Sequence, residues 1–202
     1  MPWIETISYG AADGRLRSLY ERIKGPDDRI DDIMMAHSLR PHTMEGHMAL
    51  YKAVLHHRHN RLPKWFLETL GVWVSALNSC AYCVEHHFAG LSRLLSDPPR
   101  SAAIRAALES GALEDGPFET REILALRYAE TLTRDSSGVG EAEIEGLRAA
   151  GYDDGEILEI NQVAAYFAYA NRTVLGLGCS IDNDILGLSP GGSGDPDDWT
   201  HS

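Results

Sequence analysis

Residues 63–95 read PKWFLETLGVWVSALNSCAYCVEHHFAGLSRLL. The first half sets Trp65, Phe66, Leu70, Trp73, Val74 and Leu77 at three- and four-residue steps, the period of one buried helix face. Pro63 suits the first turn, where its missing N–H costs nothing. Asn78 and Ser79 mark the end. The same pair can accept hydrogen bonds from the free amides of a new first turn. A second helix is therefore expected to run through Cys83 and His87 to about Leu95, closed by Asp97-Pro98-Pro99.

Working outward, Ala, Leu, Glu and Arg are abundant, β-branched runs are short, and helical spacing recurs, so an all-α fold is expected. Before the central segment, residues 11–24 carry Leu16, Leu19, Tyr20 and Ile23 on one stripe and stop at Gly25-Pro26. Residues 30–56 hold two more helices, broken near Arg40-Pro41. Beyond it, helices are expected at 101–110, after Pro117-Phe118 (with Ile123, Leu124, Leu126, Tyr128, Ala129 and Leu132 as its apolar set), at 141–150, and from Asp153-Asp154 to Leu175. This organises the chain as one compact domain, 1–188, of two helical lobes: a core region at 30–100 and a second lobe at 101–188. Residues 189–202 have too little apolar content to offset ordering entropy and are expected to form a flexible acidic tail.

Composition narrows the functions. Eighteen Lys and Arg against thirty Asp and Glu give a formal charge of −12, which leaves no source for phosphate-backbone attraction; no nucleic-acid partner is expected. The most apolar stretch, 160–179, contains Asn161, Gln162, Asn171 and Arg172, which suits a buried helix better than a membrane span. No secretory leader is expected from Met1-Pro2-Trp3-Ile4-Glu5. One close cysteine pair and one distant cysteine fit a reducing compartment, by default the cytoplasm.

The pair is Cys80-Ala81-Tyr82-Cys83. Its spacing puts two sulfurs one helical turn apart, close enough for a disulfide. At a helix start, exposed amides favour thiolate over thiol. His87 follows Cys83 by four residues and shares its helix face, and an imidazole with an unperturbed pKa near ~6.5 can exchange protons with a thiol. If the two helices fold back as a hairpin, Glu68 can orient His87 and stabilise its imidazolium. His86 is a weaker alternative, and Tyr82 could lend a hydroxyl. Proximity to the helix amides favours Cys80 as the attacking sulfur, whereas His87 favours Cys83, so these residues leave the choice open.

Other residues read more plainly. Zinc would need about four ligands, and the consecutive His86 and His87 point about 100° apart, so no metal and no cofactor is expected. His42, His47, His56, His57 and His59 have irregular spacing and are expected to be solvated or locally bonded. Cys179 is expected to be a small buried hydrophobe. Asn171-Arg172 should find internal partners such as Glu122 or Glu130 and stabilise helix packing. Trp65, Trp73, Tyr166, Phe167 and Tyr169 are expected in the core by default, with lining of a substrate channel by some of them as the alternative.

Glu68, eleven residues, Cys80-Ala81-Tyr82-Cys83, three residues and His87 together resemble the Glu-x11-Cys-x2-Cys-x3-His pattern of alkylhydroperoxidase D and the wider carboxymuconolactone decarboxylase-like superfamily. Residues 122–133 (EILALRYAETLT), Gly146-Leu147-Arg148-Ala149-Ala150-Gly151 and the Asn171-Arg172 helix look like the peroxidase-related subgroup. The resemblance covers about 30–180. It implies an AhpD-like helical fold assembled as a homo-oligomer, a trimer or hexamer. It implies a peroxidase of peroxiredoxin type, acting on a hydroperoxide and reopened by a dithiol or protein reductant. By the same resemblance Cys83 is the peroxidatic thiol, Cys80 the resolving thiol, and Glu68 with His87 the proton relay; Tyr82 stands where one family member has a histidine. Two alternatives remain, a decarboxylase-like enzyme of this fold and a non-enzymatic redox sensor or interaction protein using the same dithiol.

Overall fold

Caps and breakers in the sequence place most helix ends. In the computed structural model, which describes residues 1–182, 184–190, 195 and 197–201, the described residues form α1 (Gly14–Ile23), α2 (Asp32–Ala36), α3 (Pro41–Tyr51), α4 (Lys64–Leu77), α5 (Ala81–Leu95), α6 (Pro98–Ser110), α7 (Thr120–Arg134), α8 (Glu141–Ala149) and α9 (Asp154–Leu177). The all-α expectation holds. Glu119 with Glu122, and Asp153 with Glu156, close reciprocal capping boxes at the starts of α7 and α9, each satisfying amides that have no helical partner. Asp97 accepts from Arg100 N at 3.1 Å to start α6. After α3, residues Lys52–His56 widen into a π-type turn that buries Val54, Leu55 and His56.

α4 and α5 form the expected antiparallel hairpin, but the turn between them is built differently from the sequence expectation. Asn78 and Ser79 do not cap α5. Cys80 occupies the cap position without a side-chain cap bond, and Ser79 reverses the chain at φ +57°. Asn78 is recruited elsewhere: its Nδ2 donates to Asn171 Oδ1 at 2.9 Å. Backbone bonds hold the turn itself, Ser79 N to Ala76 O at 3.0 Å and Cys80 N to Ser75 O at 2.9 Å.

α4 is the centre of the molecule. Its Phe66, Leu67, Leu70 and Val74 are buried beneath α5, α7 and α9. Trp73 Nε1 donates to Leu126 O at 3.0 Å, tying α4 to α7, and Asn161 Nδ2 donates to Tyr128 OH at 2.9 Å, tying α9 to α7. Where α9 crosses α4, Gly71 lets the Phe167 ring lie directly on the helix backbone. A Cβ at Gly71 would stand 2.2 Å from Phe167 Cε2, which no packing tolerates.

The tail departs from the expectation of a free segment. Trp199 is 4% exposed, the Arg22 guanidinium lies 3.8 Å from its ring centroid, and Pro190 pairs with His201. One indole supplies the apolar area that the surrounding acidic residues lack. Residues 191–194, 196 and 202 lie outside the described residues, so that part of the tail expectation is not addressed. Among the described residues no helix is long and apolar enough to cross a membrane.

Candidate active site

The α4–α5 hairpin brings two side chains 19 residues apart into contact: His87 Nδ1 lies 2.7 Å from Glu68 Oε2. Glu68 is only 2% exposed. Burial pushes its carboxyl up, but the charge and hydrogen bond of His87, with help from His56, outweigh that and hold it below the ordinary value. An ionised carboxylate only accepts, so Nδ1–H donates and Nε2 is the nitrogen left for proton exchange. Gly90 lies against the carboxylate, and a Cβ there would make ordinary van der Waals contact with it at 3.6 Å.

A second histidine joins this pair. His56 Nε2 lies 3.7 Å from Glu68 Oε1. His47 and His56 are each 3% exposed, so of the expected solvated or locally bonded states solvation does not hold for these two; His47 Nε2 lies 3.4 Å from Tyr166 OH, and burial pushes the two pKa values down to about 3 and about 4. The π-type turn carries His56 inward, which the irregular histidine spacing concealed. His42 and His59 are exposed as expected, and His57 is half-buried.

The sulfurs of Cys80 and Cys83 are 3.2 Å apart and both are free thiols. They are a coupled pair. Hydrogen bonding with Cys83 holds the Cys80 thiol down, while Cys80, then burial, pushes Cys83 up. Asn171 favours the thiolate at both. Acidity thus points to Cys80, but access points to Cys83: Cys80 is fully buried, and of the two only Cys83 borders the cavity. Access decides where an external reactant meets sulfur.

That cavity, about 50 Å³, has Cys83, His87 and Glu68 on one side and Asp31, Tyr82 and His86 on another. Tyr51 and Tyr166, stacked with centroids 5.6 Å apart, form a wall. Gly187, Leu188, Ser189 and His201 enter from the C-terminal segment. His86 turns away from the Glu68–His87 pair, its Nε2 lying 3.1 Å from Asp184 Oδ2. The Tyr82 hydroxyl goes to the same oxygen at 2.5 Å, so it is committed to Asp184. Asp184 also accepts from Asp32 N at 3.1 Å. Burial, then the Asp184 charge, pushes the Asp31 carboxyl up to about 7. No local spacing marks Asp184 or Asp31 as site residues; tertiary folding alone brings them here.

Asn171 and Arg172 divide. Asn171 is buried and bonds Asn78 and, through Nδ2, Ser75 Oγ at 3.0 Å, whereas Arg172 is exposed and donates to Ala168 O at 2.6 Å. The expected partners Glu122 and Glu130 lie elsewhere: Glu122 caps α7, and Glu130 pairs with Arg127 and Arg134. A neutral amide reaching neutral groups is the cheaper way to bury polarity. Cys179 is half-buried, and burial pushes its thiol up to about 12. Trp73, Tyr166 and Phe167 are core, Trp65 is half-buried, and Tyr169 is 40% exposed. Among the described residues no three His, Cys, Asp or Glu side chains are placed to hold a metal ion.

This architecture is the AhpD-like helical fold. A peroxidase-related protein from Ralstonia eutropha JMP134, described as an alkylhydroperoxidase AhpD core, aligns over 92% of this chain and 97% of its own, with TM-score 0.77 and 21% identity. A peroxidase-related protein from Silicibacter sp. TM1040 aligns over 84% and 87%, with TM-score 0.72 and 24% identity. The debrominase Bmp8 shares the fold at 15% identity and TM-score 0.66, over 83% and 86%. No family model and no curated protein sequence matches the chain.

Proposed function

We propose that this protein is a thiol peroxidase that reduces a hydroperoxide with Cys83, using Cys80 as the resolving thiol and Glu68 with His87 as the proton relay. One observation carries it: the buried His87–Glu68 pair, 2.7 Å apart, borders the same cavity as Cys83. Because Cys80 and burial push the Cys83 thiol up, it needs a base, and the Glu68-oriented imidazole is that base. His87 takes the thiol proton. The thiolate attacks the terminal peroxide oxygen, the O–O bond breaks, and His87 returns the proton to the departing alkoxide or hydroxide, leaving Cys83 sulfenic acid and an alcohol or water. Cys80 then displaces water from that sulfur to form a disulfide, and a dithiol, small or protein-borne, reduces it by exchange.

One close cysteine pair and one distant cysteine suit a reducing compartment, the cytoplasm. Exposed Leu158 and Tyr169, about 20° apart around α9, offer an apolar edge to a second copy, in keeping with a homo-oligomer. Mass spectrometry after a stoichiometric hydroperoxide pulse tests the chemistry. Wild type should gain a Cys80–Cys83 disulfide and Cys80→Ser a sulfenic acid at Cys83; unmodified Cys83 in both would refute the assignment. The likeness to a debrominase motivates a halide-release assay on the same samples. The small cavity argues for the peroxide.

A further inference from the structure

We infer that the C-terminal segment 184–189 fixes the substrate class of this site, restricting it to small hydroperoxides such as hydrogen peroxide and excluding bulky aryl ones, with Leu188 as the size-setting residue and Asp184 as the residue that holds the segment in place. This rests on the peroxidase assignment above. The cavity of about 50 Å³ is roughly a third of the ~150 Å³ of an apolar protein cavity that holds benzene, so it suits a small molecule and not an aryl group.

The segment that limits it is fixed by three independent contacts. First, the Asp184 side chain is fully buried and accepts from Tyr82 OH, His86 Nε2 and Asp32 N, groups belonging to α5 and α2. Releasing it would strip Tyr82 OH, His86 Nε2 and Asp32 N of their shared acceptor. Second, Gly187 sits at φ +78° with its backbone pressed against α5: a Cβ there would come within 2.9 Å of Ala89 Cβ and Gly90 N. The roof therefore rests on the turn of α5 that faces Glu68. Third, Leu188 reaches across to the loop after α1, where a Cβ at Gly25 would lie 2.9 Å from Leu188 Cδ1. Leu188 and Ser189 are themselves cavity walls, so the segment that is anchored is also the one that limits size.

Leu188→Ala widens the roof and gives up the packing on Gly25 while leaving the Asp184 and Gly187 contacts in place, and Asp184→Asn weakens the polar anchor at nearly constant volume. Rates of Cys83 oxidation by hydrogen peroxide and by cumene hydroperoxide are measured for wild type and both variants, with circular dichroism to confirm folding. Wild type should favour hydrogen peroxide by at least roughly tenfold, the lower end of what one methylene of misfit produces in a closed pocket. Leu188→Ala should reduce that ratio by a similar factor through faster reaction with the bulky peroxide, and Asp184→Asn should move it in the same direction. Equal wild-type rates, or a Leu188→Ala variant that changes both peroxides alike, would overturn the inference. A second arm does not depend on peroxide chemistry: the ratio of Cys83 labelling by pyrenyl maleimide to labelling by iodoacetamide, localised by peptide mass spectrometry, should rise in Leu188→Ala. An unchanged labelling ratio refutes the roof itself. A raised ratio with no hydroperoxide reacting in any variant refutes the hydroperoxide class and the peroxidase assignment together, while locating the failure in the chemistry and not in the roof.

Discussion

Glu68 and His87 meet at 2.7 Å between two helices, and the same carboxylate stands 3.7 Å from His56 on its other oxygen. A buried carboxylate flanked by two imidazoles holds one ring in a fixed tautomer and is ready to balance a positive charge on it. Glu68→Gln keeps the shape and removes that charge. We expect it, and His87→Ala, to slow Cys83 oxidation by roughly 10²–10⁴-fold, the usual contribution of a positioned acid–base group. His86→Ala should leave the pH profile of that step in place, because His86 bonds Asp184 and not Glu68. Stopped-flow rates across pH 5–9 check this, and an unchanged profile in Glu68→Gln would remove the relay.

Cys80 raises its neighbour's pKa more than burial does. Cys80→Ser should therefore shift the pH limb of Cys83 alkylation to lower pH, although burial keeps it above the ordinary thiol range. Iodoacetamide rates at Cys83 against pH report the limb directly; a shift to higher pH would contradict the coupling. In oxidised wild type, non-reducing peptide maps should show Cys80 joined to Cys83 and Cys179 left free.

Asp31 gives the protein a stability term of opposite sign to that of an ordinary paired carboxylate. Its carboxyl stands at about 7 when folded, against an ordinary 3.8, first through burial and then through Asp184. Between those values the folded state binds more protons than the unfolded one, so stability falls as pH rises through that window. Asp31→Asn should stabilise the protein at pH 8 by on the order of 2–4 kcal/mol, and the gain should fade as pH approaches 4. Urea midpoints at both pH values measure it; a gain of the same size at pH 4 would refute the assignment.

Asn171 anchors the turn that presents the dithiol. Truncation to Ala leaves Ser75 Oγ and Asn78 Nδ2 without their partner in a buried setting. We expect a loss of about 1–3 kcal/mol, the usual cost of orphaned buried polar groups, together with faster labelling of Cys80 as the turn loosens. Thermal melts and labelling rates, taken together, distinguish this from loss of packing alone, which would leave Cys80 protected.

The hairpin and the grouping of Glu68, Cys80, Cys83 and His87 on it were legible because their signal is local: three- and four-residue spacing fixes a helix face, and a short turn fixes the partner helix. Asp184 was not, because it lies 98 residues from His86 and nothing in its own neighbourhood advertises the contact. Asn171 stood out as a polar residue in an apolar helix, yet charge complementarity suggested Glu122 or Glu130 where the structure provides the neutral Ser75 and Asn78. His56 was hidden by a π-type turn, since one extra residue in a turn rotates everything after it to another face. Trp199 was obscured by the acidic residues around it, which set the character of the tail in any averaged window.

Gly71 and Phe167 lie 96 positions apart and share one small volume. Phe167 also rests edge-on against His87, with centroids 4.5 Å apart, so the space left empty on α4 is filled by the ring that backs that imidazole. Neither position can drift alone over generations. A side chain gained at 71 requires a smaller one at 167, and a smaller one at 167 deprives His87 of its support; among descendants of this sequence the two sites should change together or stay as they are.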